Sequence, residues 1–280
     1  VVGPVDFVDT VDIDSPDMAL KQAWLTISAD LTNHSRDTVS GKLEGKIEDI
    51  SFSQPYTLNP GETRKVTFDP GQFPVLHVKN PRLWWPHTIG SPELYTMNLS
   101  VTVNNNVSDH SRVRFGIREV SDYMNENGHR GYKINGQKVV IRGAAWVDDL
   151  MLADDRRHVE SQMQYVRHMN LNTVRLEGFW GNNSLLYDLA DEYGILLMVG
   201  LSCQWEWEDY CGLPQDMYMC VATPEQIHLQ SRAYRDQVWW LRNHPSVFVW
   251  VYGSDKLPRP EFEKKLNQYV KNEDPTRPIL

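Results

Sequence analysis

The residues of this chain best suited to chemistry are acids that stand just past apolar β-type runs. Val247-Phe248-Val249-Trp250-Val251-Tyr252 is β-branched and aromatic without polar alternation, the pattern of a central strand buried on both faces, and Gly253-Ser254-Asp255 follows it. Parallel α/β folds keep their sites at such strand ends, where a carboxylate can give or take a proton at a bound substrate. A structural reading competes: Pro258 and Pro260 open a helix over Glu261 to Val270, and Asp255 caps its first amides. Two further acidic positions follow β-type runs. Glu177 comes directly after Asn172-Thr173-Val174-Arg175-Leu176, and Asp148-Asp149 lie a few residues beyond Val139 to Ala145. Arg175 could hold a carboxylate ionised and in one rotamer. Equally, Glu177 could be the local partner of Arg175, and Asp148 and Asp149 a solvated loop or a helix-entry cap.

The elements that must position these residues alternate. Val139 to Ala145 reads as strand one, Asp154 to Met169 as helix one, Asn172 to Glu177 as strand two and Asn183 to Tyr193 as helix two. Ile195 to Leu201 is strand three; after a long loop come helix three, Pro224 to Asn243, and strand four with helix four. Repeated βα units with short connections predict a parallel sheet with right-handed crossovers. Residues 118–280 hold about four such units, whereas a closed (β/α)8 barrel takes about 250 residues. The expectation is therefore the amino-terminal half of a TIM barrel, cut from a longer chain.

Residues 1–117 read differently. Val5 to Ile13, Lys21 to Thr32, Thr38 to Glu48, Arg64 to Phe68, Leu94 to Val103 and Ser111 to Ile117 alternate between Gly, Pro and Asn breaks, with no helix-period segment between them. That pattern predicts an immunoglobulin-like β-sandwich. Trp84 and Trp85 beside prolines read as a domain-interface plug in preference to a sugar-stacking platform.

Composition bounds the partners. The chain has 280 residues, 41% of them apolar, and a net charge of −9. Such a surface attracts neither a nucleic-acid backbone nor an anionic membrane. No apolar run approaches membrane-spanning length and Val1-Val2-Gly3-Pro4 is not a signal peptide. Cys203, Cys211 and Cys220 match no common zinc spacing, so no metal is expected. Asn33, Asn98, Asn106 and Asn182 open Asn-x-Ser triplets. Gln204-Trp205-Glu206-Trp207-Glu208-Asp209-Tyr210 alternates aromatics and acids, as a sugar-lined entrance or a packed rim would. Trp239, Trp240 and Trp250 read as core.

Several motifs resemble family 2 glycoside hydrolases. Asn243-His244-Pro245-Ser246-Val247 before a strand ending in a carboxylate is similar to that family's fourth barrel strand. Asn80-Pro81-Arg82-Leu83-Trp84-Trp85-Pro86 with Leu94-Tyr95 resembles its sandwich, and Phe115-Gly116-Ile117-Arg118-Glu119 its passage from sandwich to barrel. Most members carry Asn-Glu where Ser254-Asp255 stands here; Gly253-Ser254-Asp255 with Pro258 resembles the exo-β-D-glucosaminidase branch.

The resemblance implies a retaining glycosidase, which uses two carboxyl groups about 5 to 5.5 Å apart as acid/base and nucleophile. By resemblance Asp255 is the acid/base, while the nucleophilic Glu lies beyond Leu280 and Arg175 orients it. Glu177, Asp149 and Ser254 are implied as the substrate-binding set for a 2-ammonium sugar. An ammonium only donates hydrogen bonds and prefers carboxylate or hydroxyl acceptors. The implied substrate is chitosan or chito-oligosaccharide, with no cofactor and a periplasmic or extracellular setting. A mannoside substrate is the alternative within the family, and a non-catalytic sugar-binding or scaffolding piece the alternative outside it. The 280-residue chain is expected to be inactive alone and to self-associate through open sheet edges.

Overall fold

The computed structural model describes residues 21–147, 149, 151, 155–176, 183–201, 212–213, 216–253 and 256–280. Among them, two units emerge: residues up to Trp84 with Glu93–Glu119 form one, and Trp85–Pro92 with Val120–Leu280 the other.

The first unit is an antiparallel β-sandwich. β1 (Gln22–Trp24), β2 (Ile27–Thr32), β3 (Val39–Ile47), β4 (Ile50–Leu58), β5 (Thr63–Phe68), β6 (His77–Lys79), β7 (Tyr95–Val103) and β8 (Asn106–Phe115) are joined by turns and a single 3₁₀ turn, Pro74–Leu76. The main sheet runs β4-β3-β7-β8, and β2-β5 and β1-β6 are two-stranded pairs. Inward alternation supplies the core: Leu43, Ile47, Met97, Leu99, Phe68 and Phe115 are all buried. β4 is not among the segments expected from the sequence, and it carries Pro55, which cannot donate to a ladder. Its position explains the exception, because β4 is the edge of its sheet and an edge strand tolerates a missing amide. Asn33 is likewise no open acceptor site: it is buried, and its Nδ2 donates to the carbonyls of Asp37, Leu58 and Asn59. Trp84 is fully buried and its amide donates to Ile117 O at 2.9 Å; it belongs to the first unit and Trp85 to the second.

The second unit opens with a three-stranded antiparallel sheet that sequence reading passed over, β11-β10-β9: β9 (Val120–Met124), β10 (Arg130–Ile134) and β11 (Gln137–Val139). Asn135 and Gly136, at φ 50° and 75°, make its two-residue hairpin turn. Val139 therefore belongs to this hairpin, and strand one of the parallel sheet starts later, as β12 (Gly143–Trp146).

β12, β13 (Thr173–Leu176), β14 (Leu196–Gly200) and β15 (Val247–Val251) then form a parallel sheet in that order. They alternate with α1 (Arg156–His168), α2 (Leu185–Tyr193), α3 (Pro224–Leu241) and α4 (Pro260–Glu273). This is half of a TIM barrel, as the four βα patterns predicted. Val174, Leu176, Leu197, Val199 and Trp250 face the helices and share one core with Leu186 and Phe262. At the far edge, Pro278–Leu280 lie alongside β15: Trp250 N donates to Pro278 O at 3.0 Å and Leu280 N to Trp250 O at 2.8 Å. They occupy the place of a fifth strand, so that edge is not open as expected. The outer edge of β12 has no strand partner among the described residues. Of the three tryptophans read as core, Trp250 is fully buried, but Trp240 is 40% exposed and meets Tyr187 edge to face. No described helix is long and apolar enough to cross a membrane.

Candidate active site

The parallel register sets where each strand-end residue stands. Arg175 is opposite Ala145 on one side and Met198 on the other, and Met198 is opposite Val249. Val174 and Leu176 point into the helix-side core, so period-two alternation puts Thr173 and Arg175 on the opposite face, the interior of a barrel. Two residues along β14, Gly200 keeps that face bare. A Cβ there would lie 1.5 Å from Val251 O, so only glycine lets β14 and β15 approach as they do.

The lower ends of these strands are fixed by a buried amide. Asn172, just ahead of β13, accepts Arg142 N at its Oδ1 (2.9 Å) and donates through Nδ2 to Val140 O (2.9 Å). His87 donates from Nε2 to Leu171 O at 2.7 Å and its amide binds Gly194 O at 2.9 Å. These bonds hold the approaches to β12, β13 and β14 together, which sets the height at which Arg175 projects.

Of the residues expected to bind substrate, Asp149 is described and half-buried, three residues past the end of β12, where its Oδ1 accepts Met151 N at 2.9 Å. It does not cap α1, whose N-cap is Asp155, accepting His158 N at 2.9 Å. Glu177, the residue after β13, lies outside the described residues, as do Asp148, Ser254, Asp255 and the aromatic loop residues 204–210. The helix-cap alternative for Asp255 can still be weighed from α4, whose N-cap is Arg259 with Pro260 at the first helical position. The capping position is thus four residues past Asp255. Ahead of it, the Tyr252 hydroxyl donates to Glu263 Oε1 of α4 at 3.0 Å, and burial, reinforced by that bond, raises its pKa.

Two buried polar groups that sequence reading missed hold the start of β15. Asp191 of α2 accepts His244 Nδ1 at 2.7 Å and Ser246 N at 2.9 Å. Asp274, which follows α4, accepts the Trp250 indole at 2.8 Å and also pairs with Arg277. Arg277 in turn donates to the carbonyls of Val247, Arg242 and His244. The signal was present in Asn243-His244-Pro245-Ser246, but its partner Asp191 is 53 residues away from His244. Asp188, Asp191 and His244 bring ligand-type atoms within 4.8 Å of one another. Because Asp191 uses both oxygens on His244 and Ser246, this reads as a hydrogen-bond network at the lower, stability-bearing end of the barrel.

Comparison with known proteins agrees with this architecture. Residues 7–118 match the model described as Glycosyl hydrolases family 2, and residues 129–280 match the model of that family's TIM barrel domain. An exo-beta-D-glucosaminidase of Streptomyces avermitilis is 34% identical over 99% of this chain and 30% of its own length. A mannosylglycoprotein endo-beta-mannosidase of Lilium longiflorum is 27% identical over 96% of this chain and 29% of its own. The exo-chitosanase CsxA of Amycolatopsis orientalis superposes with a TM-score of 0.86 at 29% identity, covering 100% of this chain and 31% of that one. The chain spans about three tenths of the length of the relatives it matches. With both domain models matched and the half-barrel carrying the expected strands, the chain belongs to family 2 of the glycosyl hydrolases.

Proposed function

We propose that the complete protein is a retaining exo-β-D-glucosaminidase that removes glucosamine from the non-reducing ends of chitosan and chito-oligosaccharides. The observation that carries this reading is similarity to an exo-β-D-glucosaminidase along nearly the whole chain, sandwich and half-barrel alike.

In this reading Asp255 protonates the leaving oxygen and then activates water, and a carboxylate from outside the 280 residues attacks the anomeric carbon. Arg175, on the interior face of β13, holds that nucleophile ionised. Glu177 and Asp149, past the ends of neighbouring parallel strands, receive the 2-ammonium group, and Ser254 leaves out the amide donor that an ammonium would oppose. None of these roles calls for a cofactor. A polymeric substrate of this kind is met outside the cytoplasm, in the periplasm or beyond. In this account the nucleophile is not supplied by the 280 residues, and the 280-residue chain alone is inactive.

Similarity to an endo-beta-mannosidase favours a second reading, a β-mannosidase-like enzyme. Hydrolysis of aryl β-glucosaminide and aryl β-mannoside by the complete protein separates the two. Faster mannoside cleavage contradicts the proposal.

A further inference from the structure

The residues on either side of Ser254-Asp255 are fastened to the rest of the unit at several points. After them, Leu257 N donates to Met217 O at 2.9 Å and Met219 N to Leu257 O at 2.9 Å, a parallel bridge between the segments around Tyr218 and Leu257. Asp216 sits at the head of this bridge. Its carbonyl accepts Lys256 Nζ, its Oδ1 accepts Tyr218 N at 2.7 Å, and its Oδ2 lies 3.7 Å from Arg259 Nη2. The Arg259 guanidinium also covers the Tyr218 ring, 5.3 Å from its centroid. Before the pair, Gly253 lies close enough to Lys256 that an added Cβ would meet its carbonyl at 3.3 Å, and Tyr252 is tied to α4 through Glu263.

The Asp216 and Arg259 side chains are 37% and 24% exposed, a setting in which an ion pair adds little to global stability. Yet Asp216 reaches the residues that follow Asp255 twice, its main-chain carbonyl accepting Lys256 Nζ and its Oδ2 facing Arg259, while its Oδ1 holds the Tyr218 amide of the bridge. We propose that Asp216 is a positioning residue for the acid/base, holding the Lys256 to Arg259 segment so that the Asp255 carboxyl keeps its distance from the glycosidic oxygen. This rests on the assignment of Asp255 above. General-acid catalysis depends steeply on that distance, since a misplacement of about 1 Å can cost about a hundredfold.

The test exploits the leaving group. Chitobiose needs protonation as its bond breaks, whereas p-nitrophenyl β-D-glucosaminide has a leaving group that departs with little help. In the complete protein, Asp216→Ala is expected to lower kcat/KM on chitobiose about tenfold and on the aryl substrate less than about threefold, with Tm unchanged. Asp216→Asn, which keeps an acceptor for Tyr218 N, and Arg259→Gln should show smaller losses of the same kind. These two carry the test if the alanine variant folds poorly. Asp255→Asn is run alongside as the reference for a missing acid. If Asp255→Asn discriminates between the substrates while the Asp216 and Arg259 variants lose activity equally on both, or lose none, the positioning role is overturned. If Asp255→Asn itself shows no discrimination, the acid/base assignment fails and this proposal falls with it.

Discussion

The indole of Trp250 and the carboxylate of Asp274 share a fully buried hydrogen bond of 2.8 Å, and Asp274 is also the partner of the buried Arg277. The chain thus ties the helix-side face of β15 to the segment that leads to Pro278–Leu280. Removing the carboxylate leaves a desolvated guanidinium without its counter-charge. Asp274→Ala should therefore cost about 3 to 5 kcal/mol of stability, read from the midpoint of urea unfolding. A cost below about 1 kcal/mol would mean that water or another acceptor takes over.

The Tyr234 hydroxyl is buried with no hydrogen-bond partner among the described residues, and burial pushes its pKa far above the ordinary phenol value. The folded state favours the neutral phenol. Its contribution to stability is complete below the unfolded value near pH 10 and is lost as pH rises from there towards the raised folded value. Tyr234→Phe is expected to be neutral or stabilising by about 1 kcal/mol at pH 7 and to lessen the loss of stability above pH 10. Thermal unfolding at pH 8 and pH 10.5 measures both. A strongly destabilised Phe variant would show that the hydroxyl has a partner.

The outer edge of β12 has no strand partner among the described residues, and nearby Val147 and Met151 are 72% and 85% exposed. The 280-residue chain should self-associate through this edge. Sedimentation of the chain against Val147→Lys and Met151→Lys variants is expected to show a concentration-dependent dimer or larger species that the lysines suppress. A wild-type monomer at high concentration would contradict it.

Local pattern made most of this fold legible. β13, β14, β15 and the four helices follow their apolar periods to within a few residues, because each is bounded by its own cap or by Gly and Pro. What escaped depends on information that is not local. Pro55 sits in a strand because β4 is an edge, which only the sheet order reveals. Val139, read as the start of strand one, belongs instead to the β10–β11 hairpin that Asn135-Gly136 turns. Trp240 reads as core from its residue type, yet on α3 it falls toward the exposed face. At the site, Arg175 lies in the last pleat of β13 and Asp149 three residues past β12. Asp191 and Asp216 were invisible, since their meaning lies in contacts with residues more than 35 positions away.

The central claim is that Asp255 is the general acid and Glu177 an ammonium-binding carboxylate. The most direct test is release of glucosamine from chitobiose by the complete protein and by its Asp255→Asn and Glu177→Gln variants, with p-nitrophenyl β-mannoside as competitor substrate. The account predicts that Asp255→Asn abolishes cleavage of the unactivated bond, and that Glu177→Gln weakens cleavage of the amino sugar selectively. Wild-type activity in both variants would contradict it, leaving Glu177 as a structural partner of Arg175 and Asp255 outside the chemistry.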